Sequence, residues 1–143
     1  MSSSTPTVAQ RRAIEERATG LCEYCRTPAT YSLQAFESDH IVPVARGGAT
    51  SLSNLAHVCG GCNRKKGIRT TGIDPDSGLE VPLFHPRHHA WQTHFAWGSD
   101  FTQIIGLTAI GRATIQALQL NRAGLVNLRG VLVRARVHPP QVP

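Results

Sequence analysis

The sequence predicts an α+β fold: a small single domain in which two strands and a short helix are tied together by a four-cysteine metal site, followed by a mainly helical C-terminal extension. Three observations lead there. The four cysteines form two Cys-x-x-Cys pairs, Cys22/Cys25 and Cys59/Cys62. Short segments of strand-like composition lie between the pairs, and a short basic helix begins at the second. Beyond residue 83, apolar residues return at helical spacing behind Thr and Asn caps. At 143 residues the chain is long enough for one real core and short for two.

Along the chain, Thr7 can cap a helix over 8–18, with Val8, Ala9, Ala13 and Ile14 at helical spacing and Gly20 placed to end it. A tight knuckle, Cys22-Glu23-Tyr24-Cys25, comes next. Residues 31–39 alternate loosely and read as a strand, broken afterwards by Pro43 and Gly47-Gly48. Asn54 to Val58 read as a second strand pairing back on the first. Cys59 to Ile68 read as a brief Arg- and Lys-rich helix stopped near Gly67. Gly72, Asp74-Pro75 and Ser77-Gly78 mark a linker loop, so the expected division is 8–69 for the core, 70–82 for the linker and 83–138 for the extension. Within the extension, helices are expected at 88–95, 108–119 and 121–137, with Thr108 and Asn121 as caps. A hairpin-like turn at Gly98-Ser99-Asp100 interrupts 97–105.

Hydrophobic residues at 41% and charged residues at 17% exclude a disordered or fibrous chain. Fifteen Lys and Arg against nine Asp and Glu give a formal charge of +6, which favours a polyanionic partner without identifying one. Residues 1–7 are polar and show no secretory leader, and no run approaches the ~18 apolar residues of a membrane span. The expectation is therefore a cytoplasmic protein with no membrane partner, where cysteines serve as metal-bound thiolates more often than as disulfides.

A Cys-x-x-Cys knuckle lets two thiolates reach one ion from a single turn. Two knuckles complete a tetrahedral zinc shell with no open position, so Cys22, Cys25, Cys59 and Cys62 are expected to hold a structural Zn²⁺. A redox reading would need one such pair and leave the other unexplained.

Between and just after the knuckles stand Asp39-His40-Ile41-Val42-Pro43, Gly47-Gly48, Ser53-Asn54-Leu55 and Cys62-Asn63-Arg64-Lys65-Lys66-Gly67. In this order, interleaved with two Cys-x-x-Cys pairs, residues 22–67 resemble the HNH endonuclease family. The resemblance implies a ββα-metal finger in which His40 is the general base, Asn54 braces the loop, and Asp39 with Asn63 holds a divalent cation. Histidine has the right intrinsic pKa to deprotonate water near neutral pH. One carboxylate and one amide oxygen suit Mg²⁺ or Mn²⁺. The family's third letter is Asn63 here and not His, which leaves only oxygen donors in view. Arg64, Lys65, Lys66 and Arg69, on or just past the helix of Asn63, are expected to contact nucleic-acid phosphates, with DNA the favoured substrate. His57 reads as a packing or orienting residue.

In the extension, His85, His88, His89 and His94 cluster, yet no acidic or cysteine partner accompanies them and packing is the better reading. Trp91, Phe95 and Trp97 are expected to form a small core with Ile104, Ile105, Leu107, Ile110, Leu118, Leu125 and Leu128. The segments around Trp91–Trp97 and Ile104–Thr108 also resemble the C-terminal part of a group of bacterial HNH proteins. The rival to a nuclease is a non-catalytic zinc-knuckle module that only binds nucleic acid. Such a module would need the cysteines and the basic helix but not Asp39, His40 and Asn63 together. A zinc-stabilised protein-interaction domain is a third reading. The oligomeric state is left open by the sequence.

Overall fold

Thr7 starts the first helix, α1 (Val8–Arg17), through a capping box: its hydroxyl accepts from the Gln10 amide N–H, and the Gln10 side chain accepts from the Thr7 amide N–H. Helix α1 buries Ile14 and turns most of its remaining surface outward. The structure, a computed structural model, describes residues 4–141; the first three residues of the polar N-terminal stretch lie outside it. The described chain divides into two units, one of residues 4–70 with 85–88 and one of 71–84 with 89–141.

In the first unit, β1 (Glu37–His40) pairs antiparallel with β2 (Leu55–Val58), with Glu37 opposite Val58 and His40 opposite Leu55. Strand β1 is shorter than the 31–39 expected. Its partner has only four residues, so only four residues of β1 find ladder hydrogen bonds. The residues before it form a 3-10 turn at Ala29–Tyr31 and a loop with Leu33 fully exposed. Helix α2 (Gly60–Lys66) follows β2 directly, and Cys59 is its N-cap, the sulfur accepting from the Cys62 amide. Strand, strand and helix thus form the ββα unit, with Leu55, Ala56 and Val58 fully buried beneath it.

The second unit begins where a linker was expected. Residues 70–82 instead carry a hairpin, β3 (Thr71–Ile73) with β4 (Glu80–Pro82). The turn residues read correctly as a turn. Asp74 accepts from the Asp76 amide and the Ser77 hydroxyl and takes a two-point ion pair from Arg112, and flanking strands of three residues are too short to show alternation. Next come α3 (Trp91–His94), the hairpin β5 (Phe95–Trp97) with β6 (Ile104–Gly106), α4 (Ala109–Leu118) and α5 (Ala123–Arg134).

Thr108 caps α4 as expected, accepting from the Gly111 amide at 3.0 Å. Asn121 does not cap α5. Its amide bonds both backbone groups of Ile104, at 2.7 and 2.9 Å, so this side chain serves the hairpin, and Arg122 is the cap residue. The core of this unit contains Trp91, Phe95, Ile104, Leu118, Leu120, Leu125 and Leu132. Ile105 and Leu107, expected there, are 46% and 51% exposed: Ile105 points outward between Ile104 and Gly106 on the three-residue strand, and Leu107 follows the strand's end.

Candidate active site and metal centre

The first knuckle is built by backbone bonds closing on themselves: Cys22 N–H donates to the Thr27 carbonyl and Arg26 N–H to the Cys22 carbonyl, with Arg26 in the left-handed region. Glu23 fastens it to β2, its amide donating to the His57 carbonyl and its carboxylate accepting from the His57 amide at 2.8 Å. That registry brings all four sulfurs within 4.8 Å of one another, with Cys25 and Cys59 3.7 Å apart. Tetrahedral zinc with bonds of about 2.3 Å sets its sulfurs about 3.8 Å apart, so the donor set fits the ion. Burial pushes the Cys22 thiol up, while hydrogen bonds from Cys22 and its neighbours pull the Cys59 thiol down. Four thiolates at this spacing repel, and a cation at their centre is what lets all four ionise. Among the described residues, no other group of three or more His, Cys, Asp or Glu side chains converges in this way.

Helix α2 runs alongside β1, and two rows meet. Glu37 and Asp39, two apart on the strand, share one face, as do Asn63 and Lys66, three apart on the helix. Asn63 donates its amide N–H to the Glu37 carboxylate. Lys66 is paired with Asp39 at 3.1 Å and donates to the His40 carbonyl at 3.2 Å. Both partners of this pair are buried, Lys66 at 2% exposure and Asp39 at 6%. Burial lifts the Asp39 carboxyl above its ordinary range, opposed by the Lys66 charge. The Tyr24 hydroxyl, inside the first knuckle, also faces Asp39, so the cysteine centre and this carboxylate share a wall.

His40 ends β1, its Nε2 2.8 Å from the Thr50 hydroxyl. Asn54 is buried and holds the loop between the strands at three points. Its Oδ1 accepts from the Val42 amide, and its Nδ2 donates to the Val42 and Ala49 carbonyls at 3.0 and 2.8 Å. The Gly47-Gly48 turn is forced by this closeness. A Cβ on Gly48 would stand 1.7 Å from the Val42 carbonyl oxygen.

The side chains expected at the phosphate surface separate into two kinds. Arg64, Lys65 and Arg69 are exposed, with Arg69 folded back to donate to the carbonyls of Lys65 and Lys66 at the end of α2. Lys66, grouped with them in the sequence, is enclosed against Asp39. It lies on the inner face of α2 because it follows Asn63 by one helical turn. His57 packs against the Phe36 ring on β2, and burial pushes its pKa down. His85 and His88 stack on each other within the first unit, while in the second His94 bonds the Thr108 hydroxyl and lies near His89. Glu37 and Tyr24 were missed in the sequence. The available signal for Glu37 was its i, i+2 spacing from Asp39.

The Lys66–Asp39 pair yields a direct test. Removing one partner leaves the other charge buried alone, which costs about 3–5 kcal/mol, while replacing both with apolar residues is close to neutral. Lys66→Met and Asp39→Leu should each lower the stability measured by urea unfolding by that amount, and the double variant should recover most of it. Single losses below about 1 kcal/mol would mean the two side chains are solvated.

The resemblance implies a cation held by Asp39 and Asn63, one carboxylate and one amide. The Asn63 amide turns its nitrogen to Glu37, which leaves its carbonyl oxygen as the coordinating end. The buried Asp39 carboxylate faces the Lys66 ammonium, 3.1 Å from Oδ2, and the Tyr24 hydroxyl. Hard oxygen donors of this kind suit Mg²⁺ or Mn²⁺.

Residues 22–69 match the family model described as HNH endonuclease. A CRISPR-associated endonuclease Cas9 from Corynebacterium diphtheriae is 45% identical over 80 residues, covering 50% of this chain and 7% of that protein. The chain therefore spans a small fraction of that relative's length. The ββα unit, the four-cysteine cluster and the Asp39-His40 and Asn63 positions all lie inside the segment, residues 22–69, that is similar to HNH endonucleases.

Proposed function

We propose that this chain is a metal-dependent endonuclease that hydrolyses phosphodiester bonds of nucleic acid, DNA being the substrate to test first. The observation that carries the reading is the convergence on one ββα unit of a histidine at the end of β1, a buried carboxylate beside it and an asparagine amide on the facing helix. A nucleic-acid-binding module has no use for that set.

In this reading His40 takes the proton from the attacking water. Asp39 and Asn63 hold Mg²⁺ or Mn²⁺, which when bound supplies Lewis-acid stabilisation of charge on the scissile phosphate. Asn54 keeps the loop after His40 in register through its bonds to Val42 and Ala49. Lys66 holds Asp39 in place and opposes the effect of its burial, and Glu37 takes the nitrogen end of the Asn63 amide, leaving its oxygen for the cation. Cys22, Cys25, Cys59 and Cys62 hold Zn²⁺ as a closed structural site.

Arg64, Lys65 and Arg69 meet the phosphate backbone, and Lys66 does so only if it leaves Asp39. The charge distribution supports this. Five of the nine acidic residues lie in the first unit against ten of the 15 basic ones. We take 8–69 as the nuclease core and 83–138 as an extension. No helix among the described residues is long and apolar enough to cross a membrane, and a cytoplasmic site of action suits a thiolate-held metal.

The test is cleavage of supercoiled plasmid, linear duplex, single-stranded DNA and RNA by purified protein with Mg²⁺, Mn²⁺ or chelator. Cleavage should require the divalent cation and should be abolished in Asp39→Ala and Asn63→Ala, with the zinc content unchanged in both. Binding without cleavage of any substrate under all conditions would establish the binding-module reading instead.

A further inference from the structure

Thr50, on the loop between β1 and β2, makes a contact that specifies the chemistry of His40. Its hydroxyl oxygen lies 2.8 Å from His40 Nε2 and 3.3 Å from the Ser4 carbonyl oxygen. A threonine hydroxyl has one hydrogen, and a carbonyl oxygen can only accept. Both contacts are therefore made together only when Thr50 donates to Ser4 and accepts from His40 Nε2–H. The neutral ring then carries its proton on Nε2 and its lone pair on Nδ1, because the hydrogen bond at one nitrogen sets the state of the other.

Thr50 is itself held from both sides. Its carbonyl accepts from Gln10 Nε2 at 3.2 Å, and Gln10 is the residue that completes the capping box of α1. The adjoining Ala49 carbonyl accepts from Asn54 Nδ2 at 2.8 Å. The hydroxyl facing His40 thus stands on a peptide fixed by the start of α1 and by Asn54.

We propose that Thr50 is a positioning residue that locks the ring orientation and tautomer of His40, presenting Nδ1 as the basic nitrogen. The proposal rests on the reading of His40 as general base and names the atom that does the work. A histidine without such a partner divides itself between two tautomers and two ring flips, and only one of these combinations aims a lone pair at a given water. The N-terminal segment from Ser4 to Gln10 then belongs to the positioning apparatus, although no chemistry is done there.

The test uses the full chain with ¹⁵N-labelled histidine, the His40 signals being assigned by their loss in His40→Gln. Ring nitrogen shifts separate a protonated from a bare nitrogen, and they are read at pH about 8, where an ordinary histidine is neutral. In the wild type the Nε2–H form should dominate, and in Thr50→Val, which keeps the shape and removes the hydroxyl, the ring should become a mixture.

Single-turnover cleavage in saturating Mg²⁺ should fall about ten- to a hundredfold in Thr50→Val, by analogy with the loss of the partner that orients a metal-bound histidine. Affinity for uncleaved DNA and zinc content should stay at wild type, and Thr50→Ser should restore both tautomer and rate. A wild-type ring protonated on Nδ1, or a Thr50→Val variant unchanged in both readouts, would overturn the proposal. A His40→Gln variant that still cuts overturns the base assignment and this proposal with it. Because the tautomer is read without cleavage, the two failures are told apart.

Discussion

Cys25→Ala should leave the chain almost free of zinc and unfold the unit that carries the ββα core. The sulfurs of Cys25 and Cys59 join the first knuckle to the start of α2, and no other covalent or metal link among the described residues does so. Structural zinc contributes about 10–16 kcal/mol in small zinc-finger peptides, comparable to or larger than the whole stability of a typical domain. Elemental analysis should fall from about one zinc per chain to near none. Hydrogen exchange should show loss of protection in β1, β2 and α2. Helices α4 and α5 pack on Leu118, Leu120, Leu125 and Leu132 and should keep theirs. A wild-type protein that is fully folded without metal would contradict the assignment.

The site was more legible in the sequence than the secondary structure around it. Metal-ligand spacing and a dense motif are local signals, so Cys22, Cys25, Cys59 and Cys62 converge as their spacing implies. The ends of α1 and α4 were readable for the same reason, since a cap acts within three residues: Thr7 and Thr108 each accept from the amide three positions on. Pairings that depend on distant residues were not readable. Strand β1 ends where β2 ends, the hairpin of β3 and β4 hides behind Gly72 and Asp74-Pro75, and Asn121 looks like a cap until Ile104 is found beside it.

Lys66 gives the clearest lesson. In sequence it is one of a basic run, Arg64-Lys65-Lys66, and composition gives no reason to separate it from its neighbours. One helical turn from Asn63, it shares that residue's inward face, and it ends on Asp39. The same geometry draws Glu37 into the site, two residues before Asp39 on β1 and in contact with Asn63. Helical and strand periodicities, applied outward from a recognised motif residue, would have found both.

His40→Ala is the substitution with the largest expected effect on chemistry, and it leaves the rest of the site in place. His40 is half-buried at the end of β1, its imidazole bonded to the Thr50 hydroxyl, and it lies outside the four-cysteine centre. Asp39, Asn63 and the exposed Arg64 and Lys65 are separate side chains, so cation, zinc and nucleic-acid binding should persist. Loss of a general base typically costs about 10²–10⁴ in rate.

The decisive measurement is the single-turnover cleavage rate with protein in excess over DNA and saturating Mg²⁺, compared between wild type and His40→Ala. Affinity for uncleaved DNA, zinc content and circular dichroism are recorded on the same preparations. The rate should be lower by about 10²–10⁴ in His40→Ala, with the other three unchanged. A His40→Ala protein that folds, binds and cuts at the wild-type rate would contradict that expectation and place the base elsewhere.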